Sequence, residues 1–257
     1  MATFLFEKII FGPVRSRRLG VSLGVNLLPN DAKICNFDCI YCECGWTMGA
    51  TSSKLPTRTQ VRESMQKRFQ QMRANDDALD VITFAGNGEP TIHPHFAEII
   101  DDTIALRNEY FPHARIAVLS NSTMLHKPAV VEALKRVDQN ILKLDSGFDA
   151  TIQLLNQPKK PITVGQIVDH LKQFDGNFTL QTLFVRGTYN GKPVDNATPR
   201  ELERWIEIVD ELQPKDVMVY TIARDTPIDT LKKVPQAELE SIAERVRALG
   251  IPVQVSC

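Results

Sequence analysis

The chain is expected to be an α/β protein: a parallel sheet with helices outside. Three observations lead there. Six short apolar segments are each followed by a segment of helical spacing. The connections between them are long enough for crossover helices. The six segments are apolar nearly throughout, as strands are when both faces of a sheet are covered. Six such units make either an open doubly wound sheet or an incomplete barrel, and periodicity does not choose between these. In both, a ligand sits at the carboxyl ends of the strands.

The elements follow in order. Phe11–Gly20 is a leading segment punctuated by glycine and proline. Its Arg15, Arg17 and Arg18 form a solvated basic turn or a bidentate site for a phosphate or carboxylate. Val21–Leu28 alternates apolar with small residues and is the first strand. Gly45–Thr59 is polar and irregular, and Gln60–Arg73 is a helix carrying Val61, Met65, Phe69 and Met72 on one side. Asp80–Ala85 is a buried strand ending in a turn, Gly86-Asn-Gly-Glu-Pro90. A helix from about Pro94 to Asn108 buries Phe96, Ile99, Ile100 and Ile104. Strand Arg115–Leu119 ends at Ser120 and Asn121, helix Ala129–Val137 follows, and strand Asn140–Leu144 ends at Asp145. Helices Ala150–Leu155 and Val164–Phe174 precede strand Phe178–Val185. Helix Arg200–Leu212, strand Asp216–Thr221 and helix Gln236–Leu249 come next, with Ile251–Ser256 as a terminal edge strand.

A length of 257 residues permits one large domain or two small ones. With 43% hydrophobic and 24% charged residues, the composition is that of an ordinary globular protein. A net charge of −1 supplies no global field for nucleic acid, although a local patch is compatible with it. Five cysteines, an odd number with four between Cys35 and Cys44, argue against a secreted disulfide framework and for the reducing cytoplasm. The first residues have neither a basic region nor a long apolar core, so no signal peptide is expected. No apolar run approaches the ~20 residues of a membrane span.

Chemistry concentrates in Cys35-Asn-Phe-Asp-Cys39-Ile-Tyr-Cys42, on the loop after the first strand. Thiolates suit zinc, copper(I) or an iron–sulfur cluster. A structural zinc site wants four ligands, usually in two separated pairs, and no second CxxC exists here. Three thiolates can hold three irons of a 4Fe-4S cube and leave the fourth open to another ligand. The alternatives are a chance group of buried thiols and a zinc knuckle closed by Cys44.

This spacing, with Tyr41 just before the third cysteine, resembles the signature of the radical S-adenosyl-L-methionine (SAM) superfamily. The resemblance implies a 4Fe-4S cluster on Cys35, Cys39 and Cys42, SAM chelating the open iron, and a 5′-deoxyadenosyl radical that abstracts hydrogen from a substrate. It also implies a reductase, flavodoxin or ferredoxin as electron donor. Of the two architectures it selects the partial (β/α)6 TIM-type barrel. The whole chain, 1–257, then reads as one radical SAM domain, with a core at about 18–225 and a C-terminal helix and tail at 226–257. Gly86-Asn87-Gly88-Glu89-Pro90 resembles the superfamily's Gly-Gly-Glu-Pro motif, with Asn87 replacing a glycine. The glycines allow close backbone approach, and carbonyls and the Glu89 carboxylate suit the SAM amine.

Other residues at the strand ends are candidates for the same ligand. Ser120, Asn121 and Asp145 suit ribose hydroxyls or the SAM carboxylate, or else cap helices. Gln181, polar within an apolar strand, should point inward, because an unpaired buried amide costs on the order of 1–3 kcal/mol. Tyr220 and Ile222 would line an adenine pocket, or Tyr220 is core. Lys143 is an inward amine or half of a Lys143–Asp145 pair. His93 and His95 read as a helix start, Trp46 as a shield beside the cysteines, and Cys257 as a mobile end. Arg15, Arg17, Arg18, Lys143, Gln181 and Arg224 are candidates for the surface facing the substrate.

Several segments resemble one branch, the iron–sulfur oxidoreductases related to the tRNA wyosine-base synthase. They are Gly12–Gly20, Leu23–Pro29, Gly88–Pro90, Lys143–Asp145 and Gln181–Phe184. Wyosine-forming members carry a second cluster on cysteines ahead of the loop, and here none precedes Cys35. A different substrate is therefore expected. A zinc-stabilised binding protein and an electron carrier closed by Cys44 are the alternatives from other functional classes.

Overall fold

The computed structural model describes residues 4–16, 19–47 and 54–257. The first two strands, β1 (Ile10–Ser16) and β2 (Gly20–Val25), pair antiparallel. Strand and helix then alternate through α1 (Arg58–Ala74), β3 (Val81–Phe84), α2 (Phe96–Tyr110), β4 (Arg115–Ser120), α3 (Pro128–Lys135) and β5 (Gln139–Lys143). Two short helices, α4 (Asp149–Asn156) and α5 (Val164–Lys172), lead to β6 (Thr179–Leu183). Next come β7 (Val185–Tyr189), β8 (Lys192–Asp195), α6 (Pro199–Leu212) and β9 (Asp216–Tyr220). The chain ends through β10 (Lys232–Lys233), α7 (Gln236–Arg247) and β11 (Val253–Ser256).

The main sheet runs β1–β2–β3–β4–β5–β6–β9–β11, parallel at every junction except the first. Its two edge strands do not meet, so it curls into a partial barrel with the helices outside. Among the described residues no helix is long and apolar enough to cross a membrane.

Three local readings of the sequence are corrected. The leading segment is a strand, β1, whose register shifts between Phe11 and Val14 across Gly12-Pro13. Proline suits such a bulge on an edge strand, where its missing N–H costs no central ladder bond. The segment Phe178–Val185 is not one strand. It breaks after Leu183, where the Asn196 side chain takes over the ladder: Nδ2 donates to Leu183 O at 2.7 Å, and Oδ1 accepts from Val185 N at 2.9 Å. β7 thereby leaves the barrel for a small antiparallel sheet, β10–β7–β8. The polar stretch before α1 ends two residues earlier than the sequence reading placed it. Thr57 and Gln60 form a reciprocal capping box there.

The barrel interior is built in two layers by the period-2 alternation of strands. Val81, Ala117, Ile141 and Met218 join Leu19 in an apolar plug at the amino ends of the strands. Two residues further along each strand stand Thr83, Leu119, Lys143 and Tyr220, and Gln181 of β6 pairs with Lys143 on one side and Met218 on the other. The plug closes one end, and the mostly polar layer above it becomes the floor of a cavity.

Outside the barrel, α1 and α2 are tied by charge as well as packing. Arg58 reaches the Asp102 carboxylate at 2.6 and 2.9 Å, and Arg62 reaches it at 3.0 Å. The hydrogen bonds and charge of Arg58 hold the Asp102 carboxyl below its ordinary range despite the cost of burial. A carboxyl depressed in the folded state adds stability that is present above its unfolded value, about 3.9, and is lost as pH falls through the folded value. Asp102→Asn is therefore expected to lower the melting temperature by a few degrees at neutral pH. The two proteins should converge in acid, below the ordinary carboxyl range. Thermal melts from neutral pH into acid check this; a difference that persists there would mean the loss is steric.

Candidate metal centre

The cysteine loop leaves β2 at Asn26, whose amide folds the chain back. Asn26 Oδ1 accepts from Leu28 N at 3.2 Å and Asn87 N at 3.1 Å, while Nδ2 donates to Leu28 O at 3.0 Å. The loop is then stitched on two sides. On one, Ile34 N donates to Asn87 O at 2.9 Å and Glu89 N donates to Ile34 O at 3.1 Å. On the other, Asp38 N and Ile40 N donate to Asn156 O and Leu155 O, each at 2.9 Å, at the end of α4. Turns closed by Cys42 N to Cys39 O and Gly45 N to Cys42 O shape its far end. The glycine turn and the end of α4 therefore fix where the sulfurs lie.

One cavity of about 190 Å³ is lined by Cys35, Cys39 and Cys42. Since a water takes up about 30 Å³ of liquid, this is more than a packing gap. Tyr41, Gly86, Gly88, Glu89, Ser120, Asn121, Gln181 and Tyr220 share its wall. Lys33, Phe37, Cys44, Leu119 and Lys143 complete it. The strand ends and the cysteine loop thus face one space.

Four of the sequence candidates for the SAM site stand outside the lining of this cavity. Asn87 is a latch: Oδ1 accepts from Phe6 N at 2.8 Å, and Nδ2 donates to Phe6 O at 2.9 Å and Pro29 O at 2.7 Å. Pro90 begins a short 3₁₀ turn, Pro90–Ile92, capped by Glu89. Asp145 lies behind Lys143 and Tyr41. Ile222 lines a neighbouring space of about 80 Å³, which shares Tyr41 and Tyr220 with the first. Arg224 stands at that neighbouring space, ion-paired with Glu43 at 2.7 Å. Arg15 lies on β1, and Arg17 and Arg18 fall outside the described residues. His93 Nε2 meets Pro56 O at 2.8 Å beside the start of α2, and Trp46 packs against Tyr189.

Two buried carboxylates organise the walls. Glu89 accepts from Asn121 N at 2.6 Å, Ser120 Oγ at 2.9 Å, and the Thr91 backbone and hydroxyl. Burial raises its pKa even against these donors. Asp145 accepts from Lys143 Nζ at 3.0 and 3.2 Å, from Asn156 Nδ2 at 2.7 Å, from Leu183 N at 3.0 Å and from the Tyr41 hydroxyl. Burial pulls the Lys143 ammonium down, but the charge and hydrogen bonds of Asp145, together with neighbouring Tyr220 and Cys39, outweigh it and raise its pKa. The pairing of Lys143 with Asp145 is thus present, with Lys143 still facing the cavity.

Each sulfur of the triplet has a polar neighbour. Asn121 Nδ2 approaches Cys35 Sγ at 3.5 Å, and Asn156 Nδ2 donates to Cys39 Sγ at 3.3 Å. Cys42 interacts with the Cys44 thiol and the Lys33 ammonium, which lower its pKa. Burial pushes Cys35 up to about 12 and raises Cys39 as well, so loading a metal here releases protons. Sequence reasoning missed Lys33 and Asn156. The only signal for Lys33 was a lysine just ahead of the triplet, and Asn156 meets Cys39 from 117 residues away.

The donor set fits an iron–sulfur cluster: soft thiols, amide donors aimed at two of the sulfurs, and an apolar shell of Phe37, Ile40, Leu155 and Leu183. Among the described residues no three of His, Cys, Asp and Glu are arranged to hold one metal ion. A single zinc would need that convergence at about 2.3 Å per sulfur. A cluster gives each thiolate a different iron and does not.

The comparisons agree with this arrangement. A family model described as "Radical SAM superfamily" matches residues 30–188. The chain is 30% identical over 240 residues to a protein named GTPase Obg from Brachyspira hyodysenteriae, covering 92% of this chain and 33% of that protein. It is 28% identical over 273 residues to UPF0026 protein slr1464 from Synechocystis, covering 95% of each. Among solved structures it resembles a radical SAM methyltransferase from Sphaerobacter thermophilus (TM-score 0.68, 16% identity, 91% of this chain and 65% of that one). It also resembles Streptococcus suis SuiB bound to S-adenosylmethionine (TM-score 0.63, 14% identity, 88% and 49%). At these identities the structural likenesses establish the fold.

Proposed function

We propose, from the premise that this chain belongs to the radical SAM superfamily, that it is an enzyme reducing SAM at a 4Fe-4S cluster held by Cys35, Cys39 and Cys42. Such a cluster, when bound, supplies the electron that splits SAM into methionine and a 5′-deoxyadenosyl radical, which takes hydrogen from a second substrate. The observation that carries the reading is the convergence of three thiols and the glycine turn on one cavity at the carboxyl ends of the strands.

The chain's own residues would bind, orient and exclude water. Glu89 is engaged by Thr91, Ser120 and Asn121. We therefore assign it to holding the turns, and the SAM amine to the backbone carbonyls of the glycine turn. Gln181 and Tyr220 offer polar groups to the nucleoside, and Lys143 offers a cation to a carboxylate. The plug beneath and the apolar shell around the loop keep bulk water from a reactive intermediate. At finer grain we infer kinship with the iron–sulfur oxidoreductases related to the tRNA wyosine-base synthase, on the segments quoted above. The substrate differs, and the partner is a low-potential donor of the flavodoxin or ferredoxin class.

Anaerobically reconstituted protein given dithionite and SAM should form 5′-deoxyadenosine and methionine in equal amounts. A fully loaded protein that forms neither would overturn the reading. Cys44 lines the same cavity, its Sγ 3.5 Å from Gly86 O. This supports a second reading, an electron carrier in which Cys44 closes the cluster.

A further inference from the structure

Lys33 is a buried cation for which the function above has no use. Its side chain is 2% exposed, and it lines the cavity together with Cys35, Cys39, Cys42 and Cys44. Its ammonium donates to Gly45 O at 2.7 Å and to Asp38 Oδ1 at 3.3 Å, and it neighbours the Cys42 sulfur. A buried ammonium persists only with anionic compensation. Among the described residues, Asp38 is the carboxylate within ion-pair distance, and it is shared. Its Oδ1 also accepts from Thr47 N at 2.8 Å, and its Oδ2 faces Lys159 at 3.8 Å.

Asp38 is therefore divided between Lys33, Lys159 and Thr47 N, and does not serve Lys33 alone. Lys143 differs, because Asp145 matches its charge at contact distance. Amides address Cys35 and Cys39, and the Lys33 charge acts on all three sulfurs, on Cys42 most. A cluster on three thiolates is net anionic, and it gains one more negative charge on reduction. In a site shielded from water, a fixed cation nearby favours the more negative state.

We propose that Lys33 sets the reduction potential of the cluster: its ammonium stabilises the reduced form and brings reduction within reach of a low-potential one-electron donor. The inference rests on the cluster reading above. Lys33 touches neither SAM nor substrate in this account; it acts through the cluster's charge.

The test is a redox titration of reconstituted protein, with the cluster followed by electron paramagnetic resonance and iron and sulfide counted per chain. Lys33→Met should shift the midpoint to a more negative value at unchanged iron content, and Lys33→Arg should restore it. Asp38→Asn removes the competing anion while keeping an oxygen for Thr47 N, and should shift the midpoint the opposite way. If Lys33→Met fails to fold or to hold iron, Lys33→Gln, which keeps a donor for Gly45 O but carries no charge, takes its place in the comparison. Midpoints unmoved in both variants, or moved in the same direction, would overturn the proposal. Wild-type protein that loads no cluster, or loads one and leaves SAM intact, would instead sink the parent reading.

Discussion

Cys39→Ala is expected to abolish SAM cleavage, taking 5′-deoxyadenosine formation to background while the protein stays folded. Loss of a residue that merely orients a ligand costs roughly 10–100-fold in metal affinity, so loss of a ligand itself should exceed that. The fold should tolerate the change. Cys39 is 8% exposed and belongs to the small apolar group around the loop, apart from the main core between sheet and helices. Asn156 loses its bond to sulfur but keeps those to Asp145 and the Tyr41 hydroxyl. A stability change within about 1 kcal/mol is expected. The visible spectrum, iron content and thermal melt together separate a missing ligand from a misfolded protein. Cleavage retained in Cys39→Ala would show the ligand assignment to be wrong. Cys44→Ala is the companion variant. It should keep the cluster's colour, whereas a carrier closed by Cys44 would bleach.

What the sequence revealed and what it hid divide along a physical line. Features set by neighbours in the chain were legible. Val61, Met65, Phe69 and Met72 all turn inward on α1, and strand–helix alternation gave the parallel sheet with helices outside, which the family resemblance narrowed to the partial barrel. Inward Gln181 followed from polarity within an apolar strand. Features set by distant contacts were not. The break between β6 and β7 depends on Asn196 reaching Leu183 and Val185, and also Asp145 O at 2.8 Å, 51 residues away. Asn87 was read as part of a ligand cradle, because the glycine turn says nothing of Phe6 and Pro29 on its other side. Lys33 and Asn156 carry no pattern of their own. Their meaning appears only when the loop has been folded onto α4.

Gly88→Ala should be the most destabilising single-methyl addition among the glycines of the site. Gly88 has φ +135°, and a Cβ there would lie 1.9 Å from Ile34 O and 2.9 Å from Leu28 Cδ1. The first obstacle is backbone, which cannot rotate aside as a side chain can. It is also the carbonyl that accepts Glu89 N, and Ile34 immediately precedes Cys35. Relieving the clash therefore pulls the cysteine loop from the glycine turn and disturbs the first sulfur. Positive φ and an immovable contact together place the cost above about 3 kcal/mol. Gly165→Ala in α5 is the control: its new methyl meets only Thr163 Oγ1, at 3.9 Å, in a helix that alanine favours. That variant should gain up to about 1 kcal/mol. Opposite signs for one chemical change would locate the effect in the contact of turn with loop. Iron retention should fall in Gly88→Ala and hold in Gly165→Ala. A Gly88→Ala protein that melts with wild type and keeps its iron would mean that the loop and turn are not held together as described.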